Sequence, residues 1–363
     1  MQHSLSNVIK KAFARSFDHA YFRLKPKKNS VLVPEYDRLD GKAYTPDAFY
    51  DQMKVYFDNP CAFYQDFGGA GALNLRDGVH PNQRRTRGSI FPAKAMLFDS
   101  PVTTLWQENN LVPFKWYRHS SKRSEVMLLF VPGWGRSNQA IEEMMCAQLQ
   151  QLGIDAGLLT KPYHQARTPA GSYSGEYFVS ANIFWTVANF RQLVAEIRQL
   201  VQYMRNHYKY VGLFGMSSGG FQSCLAANCE PVDILFPFMT GSPTGGVVWN
   251  GIATQHIRLS LMERGIDEAT LNKVWSIIDP GVLAHHCKAV HRKHYITIYD
   301  ELVATEYQYR LWEALGKADK LELPTAHYSG GLMARRVISD VARFVNELTK
   351  TEIRGSKAPS IEV

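Results

Sequence analysis

From about residue 93 onward, short apolar runs alternate with longer segments in which apolar residues return every three or four positions. Residues 126–131 (VMLLFV) are apolar throughout, and a run of that length bounded by turns predicts a strand buried on both faces of a parallel sheet. Residues 93–102 and 111–119 predict two strands joined by a polar turn. After Pro132-Gly133-Trp134-Gly135, the residues Ile141, Met144, Met145, Leu149 and Leu152 fall at helical spacing, with Ser137 or Asn138 as N-cap and Gly153 as the stop. Residues 154–160 predict the next strand, followed by a polar loop rich in Gly, Pro and Ser and a long helix over 183–206. Strands at 210–214, 232–239 and 295–299, helices at 220–228 and 332–348, and a disordered tail from Thr351 complete the pattern. Such alternation predicts a mainly parallel sheet with helices on both faces. No internal repeat at a fixed period is visible.

Residues 1–90 differ. Their periodicity is weak and breakers interrupt it, among them Gly68-Gly69-Ala70-Gly71. We read them as an N-terminal extension, partly helical, attached to a main domain over 91–350. Within that domain residues 240–280 lie between two sheet strands and form a small cap. Trp249, Ile257, Leu259, Leu261, Met262 and Trp275 give the cap an apolar inner face, suited to a hydrophobic acyl group or to anchoring the cap on the core.

Charge sharpens the reading of the first 28 residues. The chain of 363 residues has a formal charge of +8, and this segment holds Lys10, Lys11, Arg15, Arg23, Lys25, Lys27 and Lys28 against Asp18 alone. Leu5, Val8, Ile9, Ala12, Phe13, Phe17 and Tyr21 recur there at helical spacing, which makes a basic amphipathic helix. One reading is peripheral contact with an anionic membrane, or a targeting helix. The other, which we favour, is a helix packed on the main domain with its charges solvated. Arg84, Arg85 and Arg87 form a second basic knot without interleaved aromatics, so no nucleic-acid partner is predicted.

Composition bounds the rest. At 45% hydrophobic and 12% aromatic residues the chain is an ordinary globular one. Five scattered cysteines (Cys61, Cys146, Cys224, Cys229, Cys287) without a C-x-x-C pair suggest neither a disulfide framework nor a zinc ribbon, and suit a reducing compartment. No apolar stretch is long enough to span a bilayer and no secretory signal stands at Met1, so we expect a soluble, cytoplasmic protein, with membrane association left open. His285, His286, Cys287, His291 and His294 fit no common zinc spacing; no metal or cofactor is expected.

The chemistry concentrates at Gly215-Met216-Ser217-Ser218-Gly219. A serine between glycines at minus two and plus two, after an apolar strand and before a helix of small residues, fits the strained turn on which a nucleophile is presented. A serine hydroxyl needs a base, itself oriented by a third group. His327 lies in a loop before the final helix, where the base belongs. His256, His285, His286, His291 and His294 fall earlier, in segments read as cap or pre-strand helix. Asp300 closes the apolar run 295–299 and is the candidate acid, with Glu301 as close competitor. Two backbone N–H donors must meet the oxyanion: Ser218 offers one, and the loop holding Trp134 the other.

Residues 93–348 resemble the α/β-hydrolase superfamily. Lys161-Pro162-Tyr163-His164, Gly215 to Gly220, Leu235-Phe236-Pro237-Phe238-Met239, Asp300 and Ala326-His327-Tyr328-Ser329 are similar to the family-18 abhydrolase group. The resemblance implies an α/β-hydrolase fold with Ser217 as nucleophile, Asp300 as acid and His327 as base. Many superfamily members carry His-Gly where this chain has Pro132-Gly133, so a contact from that imidazole is missing. The expected function is a serine hydrolase acting on a small-molecule or lipid carboxylic ester, or a thioester. A peptidase with the same triad and a non-catalytic binding protein of the same fold are the alternatives.

Overall fold

The structure, a computed structural model, describes residues 2–23, 38–39, 42–43, 45–65, 73–83, 91–119 and 124–355. Gly68 to Gly71, the arginines at 84, 85 and 87, the lysines at 25, 27 and 28 and the tail beyond Gly355 lie outside the described residues.

Helix α1 (Gln2–Arg23) comes first, then an isolated antiparallel pair, β1 (Arg38–Leu39) and β2 (Lys42–Ala43), and the short helices α2 (Pro46–Met53) and α3 (Pro60–Phe63). Then follow β3 (Arg76–Asp77), β4 (Lys94–Asp99), α4 (Gln107–Asn110), β5 (Leu111–Tyr117), β6 (Val126–Val131), α5 (Ala140–Gln151), β7 (Asp155–Leu159), α6 (Ile183–Arg205), β8 (Tyr210–Met216), α7 (Ser218–Cys229) and β9 (Ile234–Phe238). The cap holds α8 (Thr244–Asn250), α9 (Gln255–Met262) and α10 (Glu268–Val274), before β10 (His291–Thr297), α11 (Thr305–Ala314), β11 (Asp319–Leu323) and α12 (Ala334–Gly355).

Nine strands form one sheet in the order β11-β10-β9-β8-β6-β7-β5-β4-β3. It is parallel from β11 through β7 and antiparallel from there to β3. Every residue of the central strands β6 and β8 is buried, because helices cover both faces. Leu193, Ile197, Leu200 and Val201 of α6 pack with α7 against one face. Met145 and Leu149 of α5 join Val337, Ile338, Val341 and Val345 of α12 on the other. This is the mainly parallel sheet with helices on both faces expected from the pattern, in the arrangement the resemblance implies, and it brings the ends of the parallel strands to one rim, where loops can carry a site.

Several local expectations need correction. Helix α5 starts on Gln139, not on Ser137 or Asn138, although the Asn138 side chain accepts the Ala140 N–H. The strand placed at 295–299 runs from His291 to Thr297, so His291 and His294 belong to the sheet. Both α11 and β11 escaped the pattern; β11 (DKLEL) is an edge strand whose burial is confined mostly to its last residue. The final helix continues through 351–355, the start of the tail expected to be disordered. The polar loop after β7 is largely interior: Arg167 is fully buried, paired with Glu196 at 2.6 and 2.8 Å while donating to the carbonyls of Asn109 and Thr160. In the cap Ile257, Leu261 and Trp275 are buried, but Leu259 and Met262 face solvent.

Helix α1 departs furthest. It does pack on the main domain, but through Ala14 and Asp18, while Val8 and Ile9 are each 60% exposed and Phe13 is 67% exposed. Val8, Ile9, Phe13 and Phe17 of the apolar stripe that periodicity assigns to the interior are exposed, with Lys10 and Lys11 exposed beside them. No helix among the described residues is long and apolar enough to cross a membrane.

Candidate active site

Ser217 sits between the end of β8 and the start of α7 with φ 53°, a left-handed conformation rarely tolerated away from glycine. The turn is held by the Ser217 N–H donating to the Phe238 carbonyl at 2.7 Å and the Gly220 N–H donating to the Ser217 carbonyl at 2.9 Å. Its neighbours must be glycine for want of space. A Cβ on Gly215 would run into Gly220 Cα, and one on Gly219 into the Val131 carbonyl. The strain therefore belongs to a crowded crossing that lifts the Ser217 hydroxyl above the sheet.

His327 follows β11 and Asp300 follows β10. Ser217 Oγ lies 2.8 Å from His327 Nε2, and His327 Nδ1 lies 2.7 Å from Asp300 Oδ2. A carboxylate only accepts, so Nδ1–H donates to Asp300 and Nε2 is left to take the Ser217 hydroxyl proton. The Asp300 carboxylate also accepts from Thr297 Oγ1 (2.8 Å), Gln308 Nε2 (3.1 Å) and the N–H groups of Leu302 and Val303 (2.9 and 3.0 Å). Gln308 comes from α11. Glu301, the competitor in sequence, points elsewhere and pairs with Arg15 and His19 of α1, each at 3.1 Å.

The structure thus brings Ser217, His327 and Asp300 into one hydrogen-bonded line. Trp134 and Ser218 both line the cavity that opens on Ser217. Among the described residues no protein acceptor is found for either backbone N–H, whereas the next amide, Gly135, donates to His164 Nε2 at 3.0 Å. The other sequence candidates lie apart from this line. His285 and His286 share a tight turn, with His286 Nε2 2.7 Å from the Phe57 carbonyl. His294 is buried in β10, which pushes its pKa down to about 3. His256 lines the cavity and burial lowers its pKa. All five cysteines are free thiols, and no metal-ligating cluster occurs among the described residues.

Sequence reasoning missed the support around this line. Asp18, 1% exposed, reaches from α1 to accept the N–H of Tyr328 (3.0 and 3.1 Å) and of Ser329 (3.1 Å), directly after His327. Burial raises its pKa, and the two backbone donors and His327 oppose that rise. The one sequence signal was a lone carboxylate four residues from Ala14 in a basic helix. The cavity, of about 440 Å³, is lined by Ile141, Val179, Phe190, Val247, Val248 and Leu302 together with Ser217 and His327. Its polar groups include Arg136, Thr244 and His256.

The model of the family "Alpha/beta hydrolase domain containing 18" matches residues 96–323, and the chain belongs to that family. Among solved structures it is similar to an acetyl xylan esterase from Paenibacillus sp. R4, with a TM-score of 0.55 and 13% identity over 82% of this chain and 99% of that one. It is similar also to acetyl xylan esterase 1 from Thermoanaerobacterium sp. JW/SL YS485, with a TM-score of 0.55 and 15% identity over 85% and 98% of the two chains. An acylaminoacyl peptidase from Pyrococcus horikoshii matches with a TM-score of 0.52 and 12% identity over 70% of this chain and 41% of the peptidase. At such identities the likeness is one of fold. No curated protein matches the sequence.

Proposed function

We propose that the protein is a serine hydrolase that cleaves a carboxylic ester bearing an apolar acyl group. The observation that carries this reading is the continuous line from Ser217 Oγ through the His327 ring to Asp300, opening on an apolar cavity. As Ser217 Oγ attacks the ester carbonyl carbon, its proton passes to His327 Nε2 and the carbonyl electron pair moves onto oxygen. Trp134 N–H and Ser218 N–H receive that oxyanion. Collapse breaks the bond to the alcohol oxygen, which takes the proton from His327. Water then attacks the acyl-enzyme with His327 as base, freeing the acid and restoring Ser217.

Esterases and a peptidase among the structural neighbours share the acyl-transfer logic, and the wall of aliphatic side chains favours an ester of an apolar acid over a peptide. A fluorophosphonate probe tests the reading. Labelling of the wild type that disappears in Ser217→Ala is expected; an unlabelled wild type, or equal labelling of the variant, contradicts it.

The outward apolar stripe of α1, flanked by Lys10 and Lys11, supports a second proposal: peripheral contact with an anionic membrane surface. Co-sedimentation of the full chain with phosphatidylserine vesicles is expected to weaken in Phe13→Ser and at high salt; equal partitioning of wild type and variant argues against it.

A further inference from the structure

We propose that Lys161 and His164 are positioning residues that hold the two oxyanion donors in place, so that the segment after β7 acts as the frame of the oxyanion hole. The inference rests on the serine-hydrolase reading above. The structure places an imidazole against the loop that follows Pro132-Gly133, carried by the segment after β7. His164 is 1% exposed, and its Nδ1 lies 2.7 Å from the Pro162 carbonyl, a group that only accepts. The ring proton therefore sits on Nδ1, leaving Nε2 bare to accept the Gly135 N–H at 3.0 Å.

That bond decides which amides face the cavity. With Gly135 N–H committed to His164, the preceding amide, Trp134 N–H, for which no acceptor is found among the described residues, is the one assigned to the oxyanion. Three more contacts grip the same loop from the same segment: Trp134 Nε1 donates to the Gly175 carbonyl at 2.7 Å, and Gln165 Nε2 and Ser174 Oγ donate to the Arg136 carbonyl at 2.9 and 2.6 Å. The fit leaves no slack. A Cβ on Gly175 would stand 2.6 Å from His164 Nε2 and 2.9 Å from the Gly135 nitrogen. Tyr163 (φ 62°) and Gln165 (φ 46°) hold left-handed backbone on either side of His164, and such conformations persist where surrounding contacts over-determine them.

Lys161 serves the other donor. Its side chain is fully buried beneath the nucleophile turn, where Nζ donates to Ser218 Oγ at 2.8 Å and to Gln222 Oε1 at 3.4 Å and lies 4.3 Å from the centre of the Phe178 ring. Burial drives its pKa well below the usual lysine range. It fixes the residue whose backbone N–H is the first oxyanion donor. Lys161-Pro162-Tyr163-His164 thus ties both donors to one rigid segment, and neither side chain touches the reacting atoms.

The test measures turnover of p-nitrophenyl butyrate together with inhibition by 1-butaneboronic acid, whose tetrahedral adduct on Ser217 places an oxygen in the hole. For His164→Ala, kcat is expected to fall about 100-fold with KM within about twofold, as when one oxyanion donor is lost. Boronate affinity is expected to fall in parallel, and His164→Gln, whose Oε1 can accept the Gly135 N–H, to recover most of both. Unchanged kcat, a loss of kcat without loss of boronate affinity, or a Gln variant no better than Ala would overturn the proposal. If the alanine variant does not fold, Lys161→Met keeps the volume and removes the bond to Ser218: weaker boronate binding is expected, and unchanged binding overturns the frame. An unlabelled, inactive wild type overturns the hydrolase reading and this inference with it. An active wild type with an unaffected His164→Ala overturns this inference alone.

Discussion

The two sides of the Ser217 hydroxyl are held by different means. On the side of the proposed oxyanion hole, the loop after β6, the segment after β7 and the turn after β8 brace one another through half-buried bonds beside adjoining central strands. On the side of His327 and Asp300, both ride on loops after the outer strands β11 and β10 and are joined by a buried bond, and α1 adds contacts from far along the sequence: Asp18 accepts from the backbone after His327, and Arg15 and His19 pair with Glu301. One side is braced between central strands. The other is held by buried bonds around Asp300 and leans in addition on a helix with exposed apolar residues, so anything that engages those residues bears on His327 rather than on the loop after β6.

Breaking the base side at its centre has the largest expected effect. Asp300→Asn removes the acceptor that sets the His327 tautomer, and kcat on a p-nitrophenyl ester is expected to fall about 10³–10⁴-fold with little change in melting temperature. Next comes acid sensitivity. The His294 pKa is depressed to about 3 in the folded protein, so the unfolded chain takes up its proton first, near the ordinary value of 6.5. Stability from this residue is present above about pH 6.5 and is lost progressively as pH falls toward about 3. At pH 5 the loss is about 2 kcal/mol, and His294→Phe is expected to flatten the decline of melting temperature between pH 7 and 5. Asp18→Ala, read by kcat at constant KM, is expected to cost about tenfold, because it loosens the backbone after His327 without touching the substrate. Glu301→Gln should change kcat by less than about twofold, since exposed pairs contribute little. A larger effect for Glu301 than for Asp18 would invert the assignment of which contact steadies the base.

Much of the architecture was legible because buried parallel strands are apolar throughout and the helices between them keep their period; β6, β8 and α6 are plain in the pattern. Edge strand β11 was not, since three of its five residues are charged and solvent takes them. The strained turn at Ser217 was legible because its glycines answer a local steric demand. His327 and Asp300 followed from chain order and strand ends. The contacts of Asp18, Lys161, His164 and Gln308 were not legible, although Asp18 stood out as a lone carboxylate and Lys161 and His164 lie in a motif of the resemblance, because each contact joins segments that no spacing records. For α1 the periodicity itself misled: an apolar stripe shows that a face avoids water in some setting, not that this domain covers it.

The most direct test of Ser217 as nucleophile is rapid mixing with p-nitrophenyl butyrate followed by peptide mass mapping after acid quench. A burst of one p-nitrophenolate per active site, with the butyryl mass on the peptide holding Ser217 and absent from Ser217→Ala, is the expected result. Acylation at another residue, or steady turnover retained by Ser217→Ala, would contradict it.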